Sequence, residues 1–217
     1  MMPLRQNLIR LAGTGLLALA TGLSAAAIPE RDHAWRFNVY LDDKRIGWHE
    51  FEFDPAASTV RSEARYDVRF LFISAYRYAH QSTEVWDGHC LRRVDARTDD
   101  NGRLSSLQGE RDGEAFMLRA PTGHARLPAC VQSFAYWDPS ILSATRLLNA
   151  QTGEYQPIEA LTLGPQQIIV RGHPVTAQAY RITAQDLQID LWYSNDREWL
   201  GLQSRTRDGR MLRYEIQ

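Results

Sequence analysis

Apolar and polar residues alternate along most of this chain, and the alternation runs longest between Thr59 and Ile73. Thr59, Arg61, Glu63, Arg65, Asp67 and Arg69 fall on one side, and Val60, Ser62, Ala64, Tyr66, Val68, Phe70 and Phe72 on the other. A period of two over that length predicts a half-buried strand with one wet face and one apolar face. At ~3.3 Å per residue it would span roughly 50 Å, against a usual strand of about 5–6 residues. A strand that long must twist, so it predicts a strongly curved antiparallel sheet. Its end, Phe70-Leu71-Phe72-Ile73, is apolar on both faces, which predicts cover on the outside there.

The rest of the chain reads mostly as hairpins. Trp35, Phe37, Val39 and Leu41 alternate with Arg36, Asn38 and Tyr40, and Asp42-Asp43-Lys44-Arg45 turns into a strand from Ile46 to Phe53. An aromatic run, Tyr76-Arg77-Tyr78-Ala79-His80, continues to Trp86 and the turn Asp87-Gly88. Leu91 to Thr98 ends at Asp100-Asn101-Gly102, a strong hairpin signal because both central residues tolerate positive φ. Later strands are predicted at 158–163, 167–171, 175–183, 187–193, 199–206 and 211–216. One segment differs. Asp138 can cap a helix, Pro139 suits its first position, and Ile141, Leu142, Thr145 and Leu148 then share a face at helical spacing. The expected fold is therefore mainly all-β. It is a strongly curved antiparallel half-barrel or barrel of about 11–12 strands, with one short helix packed on or across it.

The ends and the cysteines set the compartment. Arg5 and Arg10 precede an uncharged stretch from Leu11 to Leu23, and Ser24-Ala25-Ala26-Ala27 offers small residues for cleavage. Residues 1–27 thus read as a signal peptide and 28–217 as a single β-rich domain, exported to the periplasm and soluble once cleaved. A membrane anchor is the weaker reading, because the apolar stretch is short and lacks basic stop-transfer flanks. Losing Arg5 and Arg10 takes Lys+Arg from 25 to 23 against 26 acids. That small negative balance, with both signs interleaved, argues against nucleic acid or an anionic membrane as the partner. Cys90 and Cys130, an even pair in an oxidising compartment, read as a disulfide. Without Cys-x-x-Cys spacing they make a poor metal or redox site.

Recognisable catalytic motifs are missing: the sequence has no Gly-x-Ser-x-Gly, phosphate loop, dinucleotide fingerprint or His-Glu-x-x-His. No cofactor or metal is expected. The concentrated signals are aromatic and polar side chains that would share one face of the sheet. Tyr66, Phe70 and Phe72 lie on the apolar side of the long strand, and Tyr76, Tyr78 and His80 on one side of the next, continued by Ser82, Glu84 and Trp86. Polar handles in an aromatic wall have the composition of a binding site. Cross-strand packing of the same rings is the plainer alternative. Tyr136, Trp137, Asp138 and Ile141 could form a latch at a cavity mouth, or only a capped and anchored helix start. Trp192 poses the same choice.

Taken together, Tyr136-Trp137-Asp138-Pro139, the stretch Leu147 to Gly153, Leu191-Trp192-Tyr193, Trp199 to Leu202 and Arg207-Asp208-Gly209 resemble an uncharacterised family of exported proteobacterial proteins. It is number six-one-three-four among the domains of unknown function. Gly47 after its charged turn and the Trp86-Asp87-Gly88 hairpin are similar too. The resemblance implies a periplasmic β-rich protein and carries over no catalytic residue.

Three functions fit. The leading one is a non-enzymatic binding or carrier protein for an apolar or amphiphilic ligand such as a lipid, by architectural analogy with lipoprotein-carrier half-barrels. It requires a cavity under the helix. The second is a structural or interaction module of an envelope assembly, presenting the 70–73 end or a sheet edge to an envelope protein. The third is a hydrolase-type enzyme with His80, Glu84 or Asp138 assembled from distant strands, which requires two of them within hydrogen-bonding reach.

Overall fold

A computed structural model describes residues 34–70, 73–185 and 187–217. The expected signal peptide and the doubly apolar end at 70–73 lie outside the described residues or their side chains. The strands are β1 (Ala34–Leu41), β2 (Lys44–Asp54), β3 (Thr59–Phe70), β4 (Ile73–Asp87), β5 (Cys90–Asp100), β6 (Arg103–Asp112), β7 (Ala115–Ala120) and β8 (Gly123–Pro128). A 3-10 turn, Pro139–Ser143, then precedes β9 (Arg146–Leu148), β10 (Tyr155–Pro157), β11 (Glu159–Val170), β12 (His173–Ala184), β13 (Leu187–Tyr193), β14 (Trp199–Arg205) and β15 (Met211–Ile216).

Thirteen of these make one sheet in the order β11-β12-β13-β14-β15-β1-β2-β3-β4-β5-β6-β7-β8, and every pairing in it is antiparallel. It consists of two meanders zipped together where the last strand meets the first, with Phe37 opposite Ile216 and Leu41 opposite Leu212. Inward side chains from both meanders, such as Leu107 and Phe116 on one and Ile189 and Leu191 on the other, belong to a single buried cluster. Strands so far apart in the sheet order can share one core only if the sheet curls. Among the described residues no ladder joins β8 to β11, so the curl does not close into a barrel.

Most hairpins fall where the turn residues place them. Asn101 and Gly102 both take positive φ, 54° and 90°, between β5 and β6. Two expectations need correction. The single strand from Thr59 to Ile73 is two strands: β3 stops at Phe70 and β4 starts at Ile73, with Tyr66 opposite Tyr78. The alternation ran on because the chain reverses without a Gly, Pro, Asn or Asp to mark it. The longest strand is β4, of 15 residues.

The helix expected over 141–148 is only the 3-10 turn. Asp138 does cap it, accepting from Ser140 N at 2.9 Å, with Pro139 next. The chain is already extended at Ala144, and β9 follows. Leu147 and Leu148 are both fully buried, which a strand between two layers achieves and one face of a helix does not. Their neighbours hold them extended: Leu148 N donates to Gln132 O at 2.8 Å, and Ile158 N to Thr145 O at 3.0 Å. Residues 129–158 therefore form a strap that enters the curled sheet, with Val131, Ile141, Leu147 and Leu148 in the core. The Cys90–Cys130 disulfide ties the start of the strap to β5, beside Leu91 N donating to Val131 O at 2.8 Å.

Candidate functional site

Between strap and sheet lies a cavity of about 290 Å³. Period-two alternation brings its sheet wall together: His49 and Phe51 from β2, Val60 and Ser62 from β3, His80, Ser82 and Glu84 from β4. Tyr214 from β15 and Leu202 from β14 add the far side. The strap supplies Ser133, Phe134, Tyr136 and Trp137, and Asn149 to Gln151 where it turns back. Two roomier clefts exist. One of about 400 Å³ is lined by Glu63, Arg65, Gln81 and Arg97, and one of about 470 Å³ by Leu142, Tyr180, Asn195 and Arg197. Each includes a single buried titratable group, His80 in the first and Tyr193 in the second, whereas the interior cavity gathers His49, His80, Glu84, Tyr136 and Tyr214, so the interior cavity is the candidate site.

Its polar groups form short networks. His49 Nε2 meets Ser62 Oγ at 2.7 Å, and its Nδ1 meets Tyr214 OH at 3.2 Å. Tyr214 OH in turn bonds closely to Tyr66 OH. His80 Nδ1 meets Thr98 Oγ1 at 2.9 Å. Ser133 Oγ donates to Glu84 Oε2 at 3.1 Å, joining strap to sheet. Burial, helped by neighbouring His80, lowers His49 to about 3, and burial lowers His80 to about 4. Both imidazoles are therefore neutral at physiological pH. Burial pushes the Glu84 carboxyl up to about 7. The Ser133 hydroxyl and the nearby indole of Trp86 pull more weakly the other way, although among the described residues the Trp86 N–H makes no bond of ordinary geometry. Burial likewise raises Tyr214 to about 12 and holds Tyr66, Tyr78 and Tyr136 above the usual phenol range.

The residues singled out from sequence divide by position. His80, Tyr136 and Trp137 line the cavity. Tyr66 reaches it through Tyr214, and Tyr78 stacks on Tyr66 at 5.0 Å between ring centres, its buried hydroxyl without a hydrogen-bond partner among the described residues. Tyr76 continues that row, half-buried. Trp137 is also the strap's anchor, packed edge-on to Trp86 at 5.2 Å and stacked on Phe53 at 6.0 Å. Ile141 is in the packed core, and Trp192 donates its indole N–H to Gln166 Oε1 at 3.0 Å, away from the cavity. Asp138 caps the 3-10 turn and meets His89 Nδ1 at 2.7 Å. The side chains of Phe70 and Phe72 lie outside the described residues.

His49, Ser62, Ser133 and Tyr214 also line the cavity, although they were not among the residues expected there from the sequence. Three of these had a signal, because His49 alternates with Phe51 and Phe53, Ser62 with Val60 and Ala64, and Tyr214 with Leu212 and Ile216. Ser133 had none. The required acid–base pair does not form among His80, Glu84 and Asp138, since their side chains bond to Thr98, to Ser133, and to Ser140 and His89. The Ser62–His49 contact has the distance of a nucleophile and its base. However, an imidazole that takes a proton only near pH 3 is a feeble base at neutral pH. Among the described residues no group of His, Cys, Asp and Glu has the arrangement of a metal site, and no helix is long and apolar enough to cross a membrane.

Comparison with known proteins adds family and fold. The family described as Domain of unknown function (DUF6134) matches residues 37–217. No curated protein matches the chain. Among the solved structures, the chain is similar to a beta-barrel-like protein of domain of unknown function DUF1849 from Brucella abortus. The two share 12% identity at a TM-score of 0.59, covering 85% of this chain and 96% of that one. At that identity the likeness is one of fold.

Proposed function

The chain belongs to the DUF6134 family, and we propose that it is an exported, non-enzymatic binding or carrier protein whose interior cavity takes a small amphiphilic molecule. The observation that carries the reading is the cavity's lining. Hydrogen-bonding groups on β2, β3 and β4 line one cavity together with Phe51, Phe134, Tyr136 and Trp137. Ligand sites are mostly apolar with a few convergent polar groups. A volume of about 290 Å³ suits a single alkyl chain or a small ring system, so the lipid-like guest is a single-chain one rather than a diacyl lipid. The leader expected at 1–27 from its sequence, together with the disulfide, supports the periplasm as the place of action.

Native mass spectrometry of the protein purified from a periplasmic extract tests this. The expected result is an adduct of one small molecule that survives gentle ionisation and is lost on denaturation. A clean apo mass under the same conditions counts against the reading and favours the interaction module. That second reading has its own support in Leu161 and Ile169, exposed by 60% and 67% on the edge strand β11.

A further inference from the structure

The proposed binding role leaves the charge of the guest undecided, and the groups lining the cavity bear on it. The lining has one carboxyl, Glu84, and neither Lys nor Arg. Glu84 is 7% exposed; the Ser133 hydroxyl donates to its Oε2, and the Trp86 indole lies nearby. A carboxyl taken out of water with neutral neighbours and no cation is poorly compensated when ionised. The same lining includes the rings of Phe134, Tyr136 and Trp137. Their ring faces are negative and attract cations.

Resting on the binding role above, we propose that the cavity selects an amphiphile whose polar end is an ammonium, seated against Glu84 among these rings, and rejects amphiphiles ending in carboxylate or phosphate. An ammonium would give Glu84 the charge-assisted hydrogen bonds it lacks. A carboxylate or phosphate would meet the like charge of Glu84, and no guanidinium or ammonium of the wall would offset it. The two histidines cannot substitute, because burial keeps them unprotonated well below neutral pH. The nearby phenols, Tyr136 and Tyr214, stay neutral too. Glu84 is therefore the lining group that becomes charged near neutrality.

Octylamine, 1-octanol and octanoate share a chain and differ at the head. Their affinities for the full chain, purified free of adducts, are measured by calorimetry at about pH 8, where Glu84 is mostly ionised and the amine is charged. The expected order is amine over alcohol by about tenfold or more, with octanoate weakest. Glu84→Gln, which keeps the shape and a partner for Ser133, is expected to bring the amine down to the alcohol. The wild-type series decides the question even if that variant fails to fold. An alcohol or octanoate that binds as tightly as the amine overturns the ammonium assignment and leaves the binding role standing. If none of the three binds, the binding role itself falls.

Discussion

At the scale of single residues, the buried titratable groups give the protein a pH dependence that can be worked out in sign. His49 and His80 sit well below the ordinary imidazole value, at about 3 and about 4 against 6.5. Each contributes stability that is present above pH 6.5 and lost as the pH falls toward its folded value, because only the unfolded chain takes up the proton there. Glu84 works the other way. It is raised from 4.5 to about 7, so the folded state holds a proton that the unfolded chain has released, and stability is lost as the pH rises through that window. Between about pH 4.5 and 6.5 the two histidines outweigh the one carboxyl by one proton, about 1.4 kcal/mol per pH unit. Urea melts across that range should show stability falling on acidification, and Glu84→Gln should steepen the fall by removing the opposing group. A flat profile in both proteins would mean the three groups stay hydrated in the fold. His49→Ala should cost about 2–4 kcal/mol in the same melts, since it leaves a void and removes a partner from both Ser62 and Tyr214.

At the scale of elements, the strand-to-strand approach at Gly47 is the tightest constraint on the sheet. The register shift between β1 and β2 falls beside Gly47, which pairs with Tyr66 on β3. A Cβ built there would lie 1.9 Å from the carbonyl oxygen of Arg65, a backbone atom that cannot swing aside. Gly47→Ala must therefore push β2 from β3 or break their ladder, with an expected loss of at least about 2 kcal/mol in thermal or urea melts. Unchanged stability would mean that the bulge can slide. Elements of this kind were only partly legible in the sequence. Strands 187–193 and 211–216 and the Asn101-Gly102 turn could be read directly, because alternation and positive-φ residues are local signals. The reversal after Phe70 left no local mark, so two strands read as one. The helix at 141–148 failed for the opposite reason. Its spacing fitted an amphipathic helix, but tertiary burial of both Leu147 and Leu148 and the hydrogen bonds to Gln132 and Ile158 outweighed a weak local preference. Of the cavity, the β4 row from Tyr76 to Trp86 was visible as a face, whereas its meeting with His49, Tyr214 and Ser133 depends on pairings up to 165 residues apart.

At the scale of the whole molecule, the open curl leaves its concave side to be covered by something other than sheet, and the strap does this. Besides Val131, Ile141, Leu147 and Leu148 in the core, it is held by Trp137 against Trp35, Phe53 and Trp86, the Tyr193 bond to the Tyr136 carbonyl, the Ser133 bond to Glu84, and the Cys90–Cys130 bridge. The bridge closes a loop of sequence separation 40, which in the chain-entropy view stabilises the fold by about 4 kcal/mol. It also pins the strap at the point where the chain leaves β8 and enters the curl. Replacing both cysteines by serine should therefore act twice. Global stability should fall by about 3–4 kcal/mol in denaturant melts. The strap should also loosen before the sheet does, because β5 keeps its ladders to β4 and β6 when the bridge is gone. Hydrogen exchange resolves the two effects. Amides of the strap, Leu148 and Ile158 among them, should lose protection in the variant at denaturant concentrations where β12 and β13 still keep theirs. If strap and sheet lose protection together, the strap is an integral part of the core rather than a cover over it, and a guest could reach the cavity only by unfolding the protein. If the strap opens alone, its hinge is at the β8 end and its free edge is the Asn149–Gln151 turn over the cavity, the natural route for a guest to enter.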